Sequence, residues 1–125
     1  MSGWRLFFIV AAIFNFLAGG PLLVAPAEML AAQGVTAPDD LLFHRFTGLL
    51  VVCFGAVYFL VAQDLMRYRP LVWLGVVGKA GVVALFTEAW LAGRVPFQAY
   101  AVSLGDALFV AGFLMFLAVT AKKAA

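Results

Sequence analysis

Most of this 125-residue chain consists of four long apolar runs, at 4–24, 41–62, 71–92 and 97–120. A helix of about 20 residues crosses a hydrocarbon core of about 30 Å, so each run is long enough to span a membrane. The runs are continuous, whereas the strands of a membrane barrel are alternating segments of about 10 residues. With 66% hydrophobic and 11% charged residues, the chain has more apolar surface than a domain of this size can hide from water. The sequence therefore predicts an all-α integral membrane four-helix bundle, a single four-span domain covered by lipid.

The connections between these runs predict the topology. The first connection begins with Pro26 and Glu28 and reaches Gly34, residue types that start and end a short helix, which we expect to lie along the membrane surface. Thr36 and Asp39 then resemble a capping arrangement for the second span. The other two connections are short, so consecutive spans are predicted to be antiparallel neighbours in an up-down bundle.

Positive charge is concentrated on one side of the predicted bundle. Short loops rich in Lys and Arg stay on the cytoplasmic side of a membrane. Only Arg45 and Arg94 lie near one side, whereas the other side holds five basic residues: Arg5, Arg67, Arg69, Lys122 and Lys123. The distribution predicts a multi-pass protein of the cell membrane with both termini cytoplasmic. The basic residues form no stripe of the kind that binds phosphates, so nucleic acid is not an expected partner.

A lysine lies within the third apolar run, where a charge is costly. Lys79 lies roughly 12 Å from the start of its run on the cytoplasmic side, and Asp106 roughly 14 Å from the start of its run on the outer side. Both are therefore near the midplane, which predicts a salt bridge between them. Asn15 has a similar depth, and Ser103, one turn before Asp106, is expected to add a hydroxyl. Ionisable residues inside a membrane mark substrate, ion or proton pathways. They also serve as structural ion pairs that fix helix register, and the sequence leaves both interpretations open.

A second polar set lies towards the opposite side from the termini. Arg45 is about one turn into the second run and Glu88 about one turn before the end of the third, which predicts an Arg45–Glu88 pair with His44 beside it. No second His or Cys stands at ligand spacing from His44, so no metal site is predicted. Gly81 and Ala84 share the helix face of Glu88, and small residues there predict a close helix contact.

Recognisable catalytic and cofactor motifs are absent from the sequence. It has no pair of histidines on facing spans for haem, no C-x-x-C, no glycine-rich phosphate loop and no nucleophile elbow. The single cysteine, Cys53, lies in an apolar run and is interpreted as a packing residue. Enzymatic activity is therefore not indicated, and no cofactor is predicted beyond a quinone or a lipid as a candidate ligand.

Three short motifs carry a resemblance to a known group of proteins. Arg45-Phe-Thr-Gly48 opens the second span, Gly78-Lys79 lies in the third and Gly105-Asp106 in the fourth. In these motifs and in its four-span layout the chain resembles small bacterial membrane proteins of the DoxX-like group. Some of these are linked to quinone-coupled sulfur oxidation, so the resemblance implies a bacterial inner membrane and an accessory role next to a quinone.

Three functional hypotheses follow from these residues. The first is an accessory or scaffold subunit that docks on a larger membrane complex, with a membrane-protein partner or self-association, and it predicts a dry, closed ion pair. The second is a binding protein or enzyme for a lipophilic small molecule, such as a quinone, a sterol-like compound or a lipid, held by Lys79, Asp106 and Asn15. It predicts a pocket that opens laterally between helices. The third is a small proton- or ion-coupled transporter, which predicts a water path to one side.

Overall fold

The computed structural model describes residues 2–124, and every regular element in that range is helical. Four helices are long and apolar enough to cross a membrane, which confirms the predicted all-α four-helix bundle. The structure contains six α-helices and one 3₁₀ turn within the described range: α1 Ser2–Val24, α2 Pro26–Ala32, α3 Leu42–Gln63, the turn Arg69–Leu71, α4 Val72–Leu91, α5 Phe97–Val119 and α6 Ala121–Ala124.

Helices α1 and α3 pack with their backbones almost in contact. A Cβ atom added to Gly19 would lie 2.7 Å from the carbonyl oxygen of Gly48, and one added to Gly48 would lie 2.6 Å from the amide nitrogen of Leu23. Further along, a Cβ on Gly55 would lie 2.7 Å from the ring of Phe16. Only residues without a side chain permit this approach, so the glycines determine that α1 and α3 form one tight antiparallel pair.

Helices α4 and α5 form the second antiparallel pair. The rings of Trp90 and Tyr100 stack with centroids 4.6 Å apart and an interplanar angle of 9°. The Thr87 and Tyr100 hydroxyl oxygens lie 3.3 Å apart, and the Thr87 hydroxyl also donates to the carbonyl of Val83 at 2.7 Å. These contacts hold α4 and α5 together near the connection between them.

Aromatic side chains join the two pairs at one end of the bundle. This end, which holds the N-terminus of α1 and the C-terminus of α5, is called the termini end, and the opposite one the α2 end. Phe8 stacks on Phe113 with ring centroids 5.5 Å apart, and Phe8 also meets Phe116 edge-on at 5.0 Å. Phe8, Phe113 and Phe116 are completely buried, as are Val61 and Val72. The termini end is therefore a sealed core.

Large apolar side chains cover the outside of the bundle. Leu17, Phe43, Leu85 and Leu108 are each at least two-thirds exposed. A water-soluble domain rarely exposes apolar patches of such extent. A bundle surrounded by lipid requires such a surface, because lipid tails are as apolar as the side chains that face them.

The first connection contains the predicted short helix but not the predicted cap. Helix α2 begins at Pro26, and Gly34, with a φ of 73°, follows its end. The prediction of Thr36 and Asp39 as caps was wrong, because α3 begins later, at Leu42, and its N-cap residue makes no side-chain bond. Asp40 supplies the side-chain bond at the start of α3 instead, because its carboxylate accepts a hydrogen bond from the backbone N–H of Leu42 at 2.9 Å.

Arg69 closes the termini end by binding the last turn of α5. Its Nε donates to the Thr120 hydroxyl at 2.8 Å, and its second guanidinium nitrogen donates to the Leu117 carbonyl at 2.6 Å. The last carbonyls of a helix have no partners within it and carry partial negative charge, so a guanidinium there stabilises the helix end. The sequence indicated Arg69 only as a marker of topology.

Candidate functional site

Lys79 lies at the centre of the intramembrane polar cluster. Its Nζ donates to Oδ1 of Asp106 at 2.5 Å and to Oδ1 of Asn15 at 2.8 Å. The three residues come from α4, α5 and α1, so the cluster connects both helix pairs. Lys79 and Asn15 are each 5% exposed, and the Asp106 side chain is 13% exposed. A buried charge is tolerated when an opposite charge and hydrogen bonds replace water, which is the arrangement here.

Asn15 uses both ends of its amide. Its Oδ1 accepts from Lys79, and its Nδ2 donates to the carbonyl of Val51 at 3.0 Å. The amide therefore links Lys79 of one helix pair to the backbone of α3 in the other. Ala11 and Ala12, one turn earlier on α1, are also buried, so Asn15 lies on the face of α1 that points into the bundle.

Three aromatic rings surround the ammonium group of Lys79. Its Nζ is 5.0 Å from the ring centre of Phe14, 5.2 Å from that of Phe109 and 5.5 Å from that of Tyr58. Ring faces attract cations within about 6 Å, and most strongly where water is excluded. The rings thus stabilise the charge inside the bundle. The sequence has 13 phenylalanines, and no motif in it distinguishes Phe14 and Phe109 from those that face lipid or the core.

Ser103 is near the cluster in sequence but does not bind the ion pair. Its hydroxyl donates to the carbonyl of Tyr100 in its own helix at 2.6 Å. A serine within a helix commonly donates to a carbonyl three or four residues earlier, and this local bond competed successfully with the predicted one.

A deep chamber of about 280 Å³ lies directly beside the ion pair. Asn15, Lys79 and Asp106 form the polar part of its lining, and most of the remaining wall is apolar: Phe14, Ala18, Thr47, Leu50, Val51, Phe54, Tyr58, Gly78, Val82 and Val102. Apolar walls with a few convergent polar groups are typical of small-molecule sites. The polar cluster therefore lines a cavity instead of being sealed in the core.

A second chamber of about 460 Å³ extends from the deep chamber towards the α2 end. It is called the α2 chamber because Met29 and Leu30 of α2 help to line it, together with Gln33 just beyond that helix. The two chambers share five lining residues, Ala18, Thr47, Val51, Val82 and Val102. The two chambers are therefore adjacent and are together called the groove, with the ion pair at the end away from α2.

The groove opens between α3 and α4. Leu50 and Val82 line it from these two helices, and they are 45% and 37% exposed. Closer to the termini end α3 and α4 do meet, because Gly75 lies against the ring of Tyr58. Because Leu50 and Val82 are partly exposed, the groove reaches the apolar outer surface of the bundle between α3 and α4.

The predicted Arg45–Glu88 pair does not form. Nε of Arg45 donates to the Leu23 carbonyl at 3.0 Å, at the end of α1, and Glu88 forms a salt bridge with Arg94 instead. Arg94 lies six residues after Glu88 on the turn beyond α4, so it reaches the carboxylate without crossing to another helix. Equal depth in the membrane was a necessary condition for the predicted pair but not a sufficient one.

His44 lines the α2 chamber, and its Nδ1 is the one sealed side-chain polar atom without a hydrogen-bond partner among residues 2–124. A Cβ added to Gly81 would meet nothing within 4 Å, and Ala84 is exposed, so the predicted close helix contact there does not occur in this chain.

Within the described range, no group of three or more His, Cys, Asp or Glu side chains is placed to hold a metal ion. The chemistry available in the groove is instead that of an ion pair, one amide and aromatic rings in an apolar cavity. Such a site holds and orients a molecule through one polar contact and a large apolar area.

No protein-family model, no curated protein and no solved structure matches this chain. The class of this protein therefore follows from its own architecture. It is a multi-pass helical membrane protein with a groove beside its buried ion pair. The resemblance to DoxX-like proteins stays a prediction.

Proposed function

We propose that this protein binds a lipophilic small molecule, which enters from the bilayer between α3 and α4 and places its polar group at Lys79, Asp106 and Asn15. The observation that supports this is the groove itself, which has the ion pair at its deep end and an opening towards the lipid. Of the three hypotheses drawn from the sequence, the ligand-binding protein is the one that predicts such a pocket.

The size and lining of the groove also favour a ligand. Ligand sites have volumes of roughly 300–1,000 Å³ and mostly apolar walls. The deep chamber of about 280 Å³ and the α2 chamber of about 460 Å³ together fall within this range. A lipophilic occupant would make dispersion contacts with these apolar walls.

Two features argue against the alternatives. An accessory subunit predicts a closed ion pair, whereas Asp106 here borders open space. A transporter predicts a water path to one side. The completely buried Phe8, Phe113 and Phe116 close the termini end, and towards the α2 end the walls of the groove are mostly apolar, which does not favour a column of water. The enzymatic form of the hypothesis lacks support, because the cluster presents no nucleophile with an adjacent base.

Native mass spectrometry of the protein, extracted gently from its source membrane, tests the proposal. We expect a stoichiometric lipophilic molecule on the wild-type protein. Val82→Trp should abolish this binding, because Val82 lines both chambers and an indole there would fill the shared space. The matched control is Val77→Trp on the same helix, where the side chain is 69% exposed and faces outwards.

The proposal is overturned if the wild-type protein carries no small molecule, or if both tryptophan variants retain it equally. A larger protein that co-purifies with an empty groove would support the accessory hypothesis instead. Near-UV circular dichroism of both variants shows that each is folded, so that loss of the ligand is not confused with loss of structure.

A further inference from the structure

Two polar side chains that line the deep chamber are already bonded to the protein itself. Asn15 bonds at both ends of its amide, to Lys79 and to the Val51 carbonyl. The Thr47 hydroxyl donates to the Phe43 carbonyl of its own helix at 2.8 Å. Neither side chain is therefore a free partner for a bound molecule.

Asp106 keeps one unused acceptor. Its Oδ1 accepts from Lys79, and within residues 2–124 its Oδ2 has no hydrogen bond. Because His44 Nδ1 is the one sealed polar atom without a partner in that range, Oδ2 is open rather than buried. The Asp106 side chain is also more exposed than that of Lys79, at 13% against 6%. The accessible polar atom of the ion pair is therefore a carboxylate oxygen.

Charge restricts the ligand further. The ion pair is electrically balanced, and three rings enclose the ammonium group. A cationic ligand would be repelled by Lys79, and an anionic one would meet the carboxylate of Asp106. In either case the ligand would bring a charge without a counter-charge into an apolar cavity, which is costly. An uncharged group that donates a hydrogen bond avoids both penalties.

We infer that the groove selects a lipophilic alcohol, whose single hydroxyl donates a hydrogen bond to Oδ2 of Asp106 while its hydrocarbon part fills the groove towards α2. This inference rests on the proposed function and specifies its ligand class. The head of the bound molecule then lies at the depth of Lys79, deeper than the hydroxyl of the same molecule would lie in free lipid, where it stays near water.

Photolabelling in nanodiscs with three matched probes tests the inference. The probes are a diazirine-bearing hexadecanol, its methyl ether and the corresponding hexadecanoic acid. Labelling of groove residues such as Leu50 and Val82 is mapped by peptide mass spectrometry and divided by labelling at Leu85, which faces outwards. This ratio corrects for different partitioning of the probes into the bilayer.

We expect the alcohol to label the groove about tenfold or more strongly than the ether, the ratio that follows from one hydrogen bond to a charged group. The acid should also label it more weakly than the alcohol. Val82→Trp should remove the groove labelling of the alcohol and leave labelling at Leu85 unchanged.

The other outcomes separate the two proposals. Equal groove labelling by alcohol and ether, or stronger labelling by the acid, would overturn the hydroxyl specificity and leave the binding function standing. If no probe is enriched in the groove over Leu85, and Val82→Trp changes nothing, the binding function itself fails together with the inference.

Discussion

The two ends of this bundle are built from the same four apolar helices, yet one is sealed and the other is open. At the termini end, aromatic rings fill the space between the α1–α3 pair and the α4–α5 pair, and Phe8, Phe113 and Phe116 are completely buried. Towards α2, the side chains that face each other across the same space are small or medium-sized, such as Ala18, Val51, Val82 and Val102 in both chambers of the groove.

The difference lies in side-chain volume rather than polarity. Close glycine contacts hold α1 against α3, and the stacked rings of Trp90 and Tyr100 hold α4 against α5. Large rings between the pairs give a dry core, and valines and an alanine give a groove. The charged cluster lies at the boundary, and rings therefore enclose it on one side and open space on the other.

Removing the carboxylate at this boundary should have the largest effect. Asp106→Ala leaves Lys79 buried without its counter-charge, and breaking a buried ion pair in this way costs about 3–5 kcal/mol. The measurement is the free energy of unfolding in mixed micelles. The double change Lys79→Met with Asp106→Leu removes both charges and should recover most of the loss. If single and double variants are equally destabilised, the ion pair does not account for the cost.

Substitutions at two glycines of α4 compare the packing of the sealed end with that of the open end. A Cβ on Gly75 would lie 2.8 Å from the Tyr58 ring and 2.9 Å from that of Phe113, so Gly75→Ala should destabilise by about 1–3 kcal/mol. Its control is Gly78→Ala, where the nearest atom is 3.6 Å away, on Phe54, and the stability should be unchanged or slightly higher. Equal effects at both positions would show that the two ends are packed alike.

The amide at the boundary should contribute less than the ion pair. Asn15→Ala removes the link from Lys79 to the Val51 carbonyl, and hydrogen bonds between membrane helices average about 0.6 kcal/mol with values up to about 1.7. Chemical unfolding of the variant measures this loss. Ser103→Ala serves as the control, because the Ser103 hydroxyl bonds only within its own helix and its removal should cost less. A larger loss for Ser103→Ala than for Asn15→Ala would contradict the assignment of Asn15 as the interhelical link.

The exposed ion pair near the α2 end should contribute least to the free energy of unfolding. Glu88 and Arg94 form a salt bridge, but their side chains are 66% and 59% exposed. Exposed pairs contribute about 0–1 kcal/mol, so Glu88→Gln should leave the unfolding free energy nearly unchanged and should not affect ligand binding. A loss comparable to that of Asp106→Ala would mean that this pair, rather than the buried one, organises the fold.

The sequence predicts the pairing of Lys79 with Asp106 because the depth of each side chain in the membrane follows from its position in a span. Residues near the midplane of neighbouring antiparallel spans must lie at one level, and an unpaired charge there is too costly to persist, so Lys79 and Asp106 were expected to meet. The same arithmetic failed for Arg45 and Glu88. It gives the level of a side chain in the membrane but not which of several equally placed partners is nearest, and Arg94 on the adjacent turn was nearer to Glu88.

The sequence by itself determined the class of this protein and the depth of its charges, because both depend on the length and apolarity of continuous segments and on the rise of a helix per residue. Only the tertiary structure decided that the ion pair borders a groove. That outcome depends on which side chains non-consecutive helices bring together, such as Phe8 stacked on Phe113 at one end and Ala18 and Val82 in the lining of the groove. Volumes summed across helices distant in the chain decide whether a cavity exists, and no local pattern in the sequence records that sum.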